Sequence, residues 1–517
     1  MSRAGGRTAI RFGTDGWRAR IAEDFTFANL ERVAQAYADY LQRQTPWSLI
    51  RQLVEVGQIS EEEAATPMFR NVILKAQGGS SAADSGSPLV IVGYDRRFLS
   101  EQFAQRTSEV LAGNGLRIAL FDEAVPTPLV SWAVREQNAA GGVVITASHN
   151  PAEFNGFKIK AKFGGSAPPE ITAAVESLVD AQPPRRAAAF TDVAAEERAA
   201  LGASVESYRA QIASCVDLER IRQAGMRVII DPMHGSGGRW VEGFLAGGRI
   251  EAETIRAERD PLFGGVNPEP IDRNLGLLCE RVKRTRAHLG LATDGDADRV
   301  GAVNERGETM TMHEVVPLML LHLARRRGMT GGVVRTFSQS VLTKRIAAAH
   351  NLKLYETPIG FKYIADLMLS QDILIGAEES GGIGVRGHIP ERDGILNCLL
   401  LLEALVAAGK PPSEMVSDMH REFGEFYFGR RDLHLEVERG KALVAALAED
   451  APQSAAGYRV SGVETLDGTK LLFDDESWLL FRQSGTEPVL RIYAEATSKE
   501  KTSALLDEGE KLARIFA

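Results

Sequence analysis

The sequence predicts an α/β protein of several domains, its sheets largely parallel and wound by helices. Short β-rich runs alternate with helical stretches along most of the chain, as they do where crossover helices connect parallel strands. Several of these runs end in glycine-rich turns. At 517 residues the chain is also too long for one hydrophobic core, and at roughly 100 to 200 residues per domain it predicts three or four.

Leu89-Val-Ile-Val-Gly93 and Gly142-Val-Val-Ile145 are continuous apolar strands in the first domain. Before them, the stretch between a helix ending near Gln44 and the strand at Leu89 reads as an inserted helical hairpin at about 45–88. Trp47, Leu49, Ile50, Leu53 and Val54 make it amphipathic, Ser60-Glu-Glu-Glu63 is a capping box, and residues 78–87 have linker composition. Arg227-Val-Ile-Ile-Asp231 opens a second domain and runs into a tight glycine turn ending at Gly238, whose spacing is wrong for a dinucleotide fingerprint. Gly332-Val-Val-Arg335 and Asp372-Ile-Leu-Ile375 mark a third, and a smaller last domain from about Arg430 alternates strand and helix. Residues 182–189 and 424–429, rich in proline, glycine or small side chains, are the expected connections.

A formal charge of −9 argues against a nucleic-acid partner, which needs a basic face. No run reaches the length of a membrane span, and the N-terminal residues lack a signal-peptide core. Cys215, Cys279 and Cys398 are odd in number and widely spaced, so neither a disulfide framework nor a cysteine metal site is expected. These features together point to a cytoplasmic protein.

Four turns carry side chains capable of chemistry. In Ile145-Thr-Ala-Ser-His-Asn-Pro151 the proline keeps Asn150 extended or in a turn, so the Ser148 hydroxyl follows a strand on a sharp bend and becomes a candidate phosphate carrier. In Thr293-Asp-Gly-Asp-Ala-Asp-Arg299, carboxylates at alternate positions can converge on a hard divalent cation. Arg299 stands where an EF-hand requires glycine, which excludes that motif. An Asp-x-Asp after a strand also resembles the nucleophile loop of haloacid-dehalogenase-like phosphatases, but no later paired-aspartate loop completes that pattern. In Gly376-Ala-Glu-Glu-Ser-Gly-Gly382, Glu378 and Ser380 can hydrogen-bond vicinal sugar hydroxyls. Arg482-Gln-Ser-Gly-Thr-Glu-Pro488, with Arg491 beyond it, joins guanidinium, hydroxyls and a glycine nest suited to an anion.

Those turns, with Phe12-Gly-Thr-Asp-Gly-Trp-Arg18, Gly93-Tyr-Asp-Arg-Arg97 and Asn155-Gly-Phe-Lys158, resemble the ordered motif set of the alpha-D-phosphohexomutases. The likeness spans the chain apart from the insertion, which has no counterpart in the family pattern. It implies four domains around a central cleft: three related α/β domains with mixed sheets wound by helices, and a smaller α+β C-terminal domain. Expected boundaries are 1–188 with the phosphoserine loop, 189–304 with the metal loop, 305–425 with the sugar loop and 426–517 with the phosphate loop.

By position, the resemblance makes Ser148 the phosphoserine and assigns Mg²⁺ to Asp294, Asp296, Asp298 and a Ser148 phosphate oxygen. Arg18, His149, Lys158 and Arg299 match positions near the reacting phosphate, with Lys158 or His149 as proton carrier. Thr357 and Gly360 match a substrate loop, and Glu378 and Ser380 match contacts to sugar hydroxyls. Arg482, Ser484, Gly485, Thr486 and Arg491 match a distal phosphate site. The family's usual Lys-Asp-Gly is Arg392-Asp-Gly394 here, which keeps charge but changes reach and donor geometry at a substrate-binding position.

The activity implied is interconversion of a hexose 1-phosphate and 6-phosphate, with glucose 1,6-bisphosphate as intermediate and activator. Glucose is the expected sugar, because Gly382 stands where histidine is common in dual glucose/mannose and glucosamine enzymes. A phosphomannomutase or dual enzyme is the alternative, and a Mg-dependent sugar phosphatase the alternative from another class. Expected partners are small sugar phosphates, with neither nucleic acid nor membrane, in a monomer or homodimer.

Overall fold

The computed structural model describes residues 8–13, 15–43, 87–187, 194–484 and 488–515. The expected insertion lies outside them except for residues 87 and 88, as do Gly485 and Thr486. The chain forms two compact units, residues 1–209 and 210–517.

In the first unit, β1 (Trp17–Arg20), β2 (Leu89–Tyr94), β3 (Arg117–Leu120), β4 (Gly141–Ile145) and β5 (Phe154–Lys160) form a sheet in the order β1-β5-β4-β2-β3. Strands β3, β2 and β4 run parallel, β5 returns antiparallel on β4, and β1 lies antiparallel on β5. Burial explains why β2 and β4 are continuous apolar runs without alternation. Leu30, Val33, Ala34, Tyr37 and Leu41 of the helix Phe27–Arg43 recur at helical spacing and join Val90, Val92, Val143 and Ile145 in one core.

The second unit repeats this plan twice. β6 (Arg227–Asp231), β7 (Glu251–Thr254), β8 (Leu289–Thr293), β9 (Val300–Val303) and β10 (Thr309–Met310) are ordered β10-β9-β8-β6-β7, and β9 is antiparallel to β8. β11 (Gly332–Thr336), β12 (Leu354–Thr357), β13 (Ile373–Ala377) and β14 (Ile383–Val385) are ordered β12-β11-β13-β14, and β14 is antiparallel to β13. In each sheet a buried parallel strand, β4, β8 or β13, therefore bends back through a short turn into an antiparallel neighbour. The three turns are those that carry Ser148, the three aspartates and Glu378. The helix Gly394–Ala408 is buried from its first residue to Leu405, which accounts for a sequence apolar on all sides. Among the described residues, no single helix is long and apolar enough to cross a membrane.

The last sheet is antiparallel: β15 (Tyr427–His434), β16 (Ser454–Ala455), β17 (Tyr458–Glu464), β18 (Thr469–Phe473), β19 (Trp478–Gln483) and β20 (Val489–Ala496), ordered β15-β20-β19-β18-β17-β16. Helices Val437–Glu449 and Lys499–Ile515 pack on it around Leu443, Leu447, Phe481, Ile492 and Leu505. Two sequence expectations need correction here. Strand and helix do not alternate, since β16 to β20 follow one another between the two helices. The connection expected at 424–429 is confined to the first few residues. Gly424 (φ +95) ends the helix Pro412–Phe423, whereas Gly429 lies inside β15, where a Cβ would meet Leu506 Cδ1 at 2.7 Å. Close packing, not a bend, requires that second glycine.

Candidate active site

In the first unit the β4–β5 turn presents Ser148, which is 1% exposed and held at φ +53, a left-handed conformation costly for a side-chain-bearing residue. Its amide donates to Thr146 Oγ1 at 2.9 Å, and that hydroxyl donates to Asp95 Oδ2 at 2.6 Å. The Arg97 guanidinium, fully buried, spends all five N–H donors on this neighbourhood. Nε donates to Asp95 Oδ2 (3.1 Å), Nη1 to the carbonyls of Pro151 (2.7 Å) and Phe154 (3.0 Å), and Nη2 to those of Ser148 and Asn150 (both 2.6 Å).

Around the hydroxyl, Ser148 Oγ lies 3.4 Å from His149 Nδ1. Arg18 on β1 donates from Nη1 to Asn150 Oδ1 at 2.9 Å, because β1 runs beside β5 with Arg18 opposite Gly156. Lys158 on β5, with no exposed side-chain surface, places Nζ 2.9 Å from Asp15 Oδ2. The structure thus gathers Arg18, Ser148, His149 and Lys158 on adjoining strands and one turn. It adds Asp15, Asp95, Arg97 and Thr146, residues inside quoted motifs to which the sequence reading gave no role. The available signal was position: charged or hydroxylated residues at or beside the ends of strands expected to be buried.

In the second unit the β8–β9 turn holds Asp294, Asp296 and Asp298, all fully buried, with one carboxylate oxygen from each within 4.8 Å of the others. Asp294 Oδ1 accepts from the amides of Asp298 (3.0 Å) and Arg299 (3.1 Å), which closes the loop on itself. Three gathered carboxylate oxygens form a hard donor set, and their mutual repulsion favours a divalent cation, so the residues fit Mg²⁺. Arg299 flanks them, 3.9 Å from Glu269 and 4.0 Å from Asp298.

The β13–β14 turn is stitched to this loop. The amide of Val300 donates to the Gly381 carbonyl at 3.1 Å, and Arg299 and Gly382 pair as an isolated antiparallel bridge. Burial pushes the Glu378 carboxyl up to about 7, partly countered by Arg392, whose Nη1 lies 3.7 Å from Glu378 Oε2. Among the described residues, Glu378 Oε2 has no hydrogen-bond partner. Ser380 is half-buried on the same turn.

Thr357 ends β12, its Oγ1 also without a hydrogen-bond partner among the described residues, and Gly360 (φ +141) caps the helix Phe361–Ser370. Arg482 and Arg491 face each other across β19 and β20, a like-charge pair that an anion would relieve. Ser484 is buried at the end of β19, its amide donating to the Val489 carbonyl at 2.9 Å. Asp467, absent from the sequence reading, joins the two loops: its Oδ2 accepts from the amide of Ile359 (2.8 Å) and from Arg482 Nε (2.9 Å).

Three mixed α/β sheets whose return turns carry these side chains are followed by an antiparallel fourth. Models of the phosphoglucomutase/phosphomannomutase alpha/beta/alpha domains I, II and III match residues 50–186, 206–307 and 312–423, and the model of its C-terminal domain matches 434–511. A phosphoglucomutase/phosphomannomutase of Thermococcus kodakarensis is 34% identical over 425 residues, which is 82% of this chain and 90% of the relative. A phosphoglucosamine mutase of Novosphingobium aromaticivorans is 29% identical over 81% of this chain and 88% of its own length. The crystal structure of a Thermus thermophilus protein assigned as a phosphomannomutase superposes with a TM-score of 0.79 at 36% identity, covering 98% of this chain and 100% of that one. The chain belongs to the phosphoglucomutase/phosphomannomutase family, the alpha-D-phosphohexomutases.

Proposed function

We propose that this phosphohexomutase interconverts glucose 1-phosphate and glucose 6-phosphate through phospho-Ser148 and glucose 1,6-bisphosphate. The observation that carries the reading is the Ser148 turn: a buried hydroxyl in a costly left-handed conformation, held there by a saturated network beside Arg18, His149 and Lys158. Phospho-Ser148 gives its PO₃ group to the free sugar hydroxyl. The bond from phosphorus to Ser148 Oγ breaks, a bond to the sugar oxygen forms, and the sugar hydroxyl's proton ends on Ser148 Oγ, relayed by Lys158 or His149. The bisphosphate turns end for end and the reverse transfer restores phospho-Ser148. Lys158, kept close to Asp15, suits proton donation to Ser148 Oγ, and His149 is the second candidate.

Asp294, Asp296 and Asp298, with an oxygen of phospho-Ser148, would hold Mg²⁺, which supplies charge cancellation on the phosphoryl group. Arg299 adds fixed positive charge. Glu378 and Ser380 accept and donate to hydroxyls common to both poses, with Arg392 beside them. Arg482, Ser484, Gly485, Thr486 and Arg491 hold the distal phosphate, and Thr357 and Gly360 belong to a further substrate loop. The reading places the four catalytic pieces in domains at 1–188, 189–304, 305–425 and 426–517, in a cytoplasmic monomer or homodimer.

Glucose is favoured because Gly382 leaves the sugar turn without the side chain expected of dual-specificity and glucosamine enzymes. A phosphomannomutase or dual enzyme is the second reading, supported by the names of the relatives at 34% and 36% identity. Comparing turnover of glucose, mannose and glucosamine 1-phosphates decides between them, and preference for either of the latter two overturns glucose. Ser148→Ala should lower isomer conversion on the order of 10⁴-fold or more. A sugar phosphatase would instead release inorganic phosphate and tolerate that substitution.

A further inference from the structure

Strands β2 and β6 hold the same place in their sheets, each between an edge strand and the strand that feeds a return turn. A buried aspartate stands at the end of each, Asp95 after β2 and Asp231 in β6. Each accepts the amide two residues on, from Arg97 at 3.0 Å and from Met233 at 2.9 Å, and each is paired with a guanidinium, that of Arg97 or of Arg256. The first pair holds the Ser148 turn. The second holds a turn packed on the aspartate loop. There Met233 (φ +52) and His234 (φ +61) are consecutive left-handed residues, a costly conformation for residues with side chains. Arg256 secures them: its Nε donates to Asp231 Oδ1 at 2.9 Å, and its carbonyl accepts from the His234 amide at 2.9 Å.

This turn brings Gly235 and Ser236 against the loop. The Ser236 amide donates to the Gly295 carbonyl at 3.0 Å, and the Gly295 amide donates to the Pro268 carbonyl at 3.1 Å. Both peptide groups that link Asp294 to Asp296 are therefore held from outside the loop. A Cβ at 235 would lie 2.7 Å from the Gly295 carbonyl oxygen and 2.8 Å from that of Asp294. The φ of Gly235 is not left-handed, so contact and not conformation requires glycine there. We propose that Asp231, Arg256 and Gly235 are positioning residues for the divalent cation, an inference that rests on the Mg²⁺ reading above. The braced turn fixes the backbone between Asp294 and Asp296 before an ion arrives, so little ordering opposes binding. Arg256 acts through the turn, and the charge of the three carboxylates is left for the ion.

The test is calorimetric titration of the full chain with Mg²⁺, with the melting temperature in chelator as the check that each variant is folded. Two variants disturb the turn by different routes. Gly235→Ala crowds the loop, whereas Arg256→Lys keeps the charge but loses the fork that grips Asp231. Gly225→Ala, whose added Cβ meets open space, is the control. Each of the first two should raise the Mg²⁺ dissociation constant at least about tenfold, the low end of the range for groups that orient metal ligands. The control should change it less than about twofold, by the same reasoning. A smaller rise in either variant that folds, or a similar rise in the control, overturns the proposal. Loss of fold in one variant leaves the other to decide. Because the readout is binding and not turnover, failure of the mutase reading shows separately, as a native chain that binds Mg²⁺ but converts no sugar phosphate. A native chain that binds no Mg²⁺ overturns the metal reading and the proposal together.

Discussion

The Ser148 turn and the Asp294–Arg299 loop occupy the same place in two sheets, the return from a buried parallel strand to an antiparallel neighbour, yet opposite means hold them. At Ser148 one buried guanidinium satisfies four backbone carbonyls and the Asp95 carboxylate, so the turn is complete without a ligand. In the aspartate loop three carboxylate oxygens crowd within 4.8 Å, an arrangement that a cation would complete. A turn proposed to carry a phosphoryl group is served by a fixed shape, whereas a loop proposed to hold a cation is served by gathered carboxylates. Equal topology thus serves two chemistries through the local balance of donors and acceptors.

The sharpest way to break this contrast is at Asp296. Asp296→Asn should abolish most activity, on the order of 10³-fold or more, because the hard donor set loses a charge. Without metal the same change should raise the melting temperature by relieving repulsion among three buried carboxylates. Added Mg²⁺ should stabilise the native chain by about 2.7 kcal/mol at a hundredfold excess over Kd and the variant far less. Differential scanning calorimetry with chelator and with Mg²⁺ checks both signs. A metal-free variant less stable than the native chain would mean that the loop is already balanced.

The opposite sign is expected at Arg97. Arg97→Lys leaves three donors on a point charge where five were used in a fixed fork, so several buried carbonyls lose their partner. A loss of about 3–5 kcal/mol is expected, the range for breaking a buried charged network, with no dependence on Mg²⁺. Chemical denaturation measures it, and single-turnover phosphorylation of Ser148 should slow in parallel as the left-handed turn relaxes. Stability equal to that of the native chain would show that the network is redundant.

Much of this was legible in the sequence because each turn announces itself by residue type next to an apolar run. Ser148, the three aspartates, Glu378 and Arg482 all lie where strand ends and turn chemistry place them. What escaped depends on contacts distant in sequence. Asp467 sits on an ordinary-looking Asp-Gly turn and gains meaning only because the Ile359 amide, 108 positions earlier, reaches it. Gly382 and Arg392 read as two separate departures from a motif, and only the packing shows that one makes room for the other. The three related mixed sheets came from the family resemblance and not from the pattern, since topology fixes where strands run and many apolar sequences satisfy it. The antiparallel last sheet eluded the pattern reading for the same reason.

Asp467 offers a finer probe, because it ties the Thr357–Gly360 loop to Arg482 through a single carboxylate oxygen. Asp467→Asn keeps the size but weakens both hydrogen bonds. KM for the hexose phosphate should rise about tenfold with kcat changed much less, the pattern of a residue that orders a binding loop. A fall in kcat with KM unchanged would move Asp467 from ordering the distal loop to assisting the transfer itself.

The smallest expected effect concerns Glu378, a carboxyl buried like the aspartates but placed on the β13–β14 turn. Its pKa is raised from 4.5 to about 7, chiefly by burial and against the pull of Arg392. A carboxyl with a raised folded-state value binds more protons in the native than in the unfolded chain between those two pH values. Its contribution to stability is therefore fully present below about 4.5 and lost as pH rises through about 7. Between pH 5 and pH 8 the native chain should lose a little more stability than Glu378→Gln, a difference of about 2–4 °C in melting temperature. A sugar phosphate whose hydroxyl donates to Oε2 favours the ionised form, so saturating ligand should shrink that difference by lowering the pKa. Melting curves of both proteins across this range, with and without glucose 1-phosphate, make the comparison. Parallel pH profiles would place the carboxyl in ordinary solvent, and a ligand-independent difference would remove it from the sugar contact.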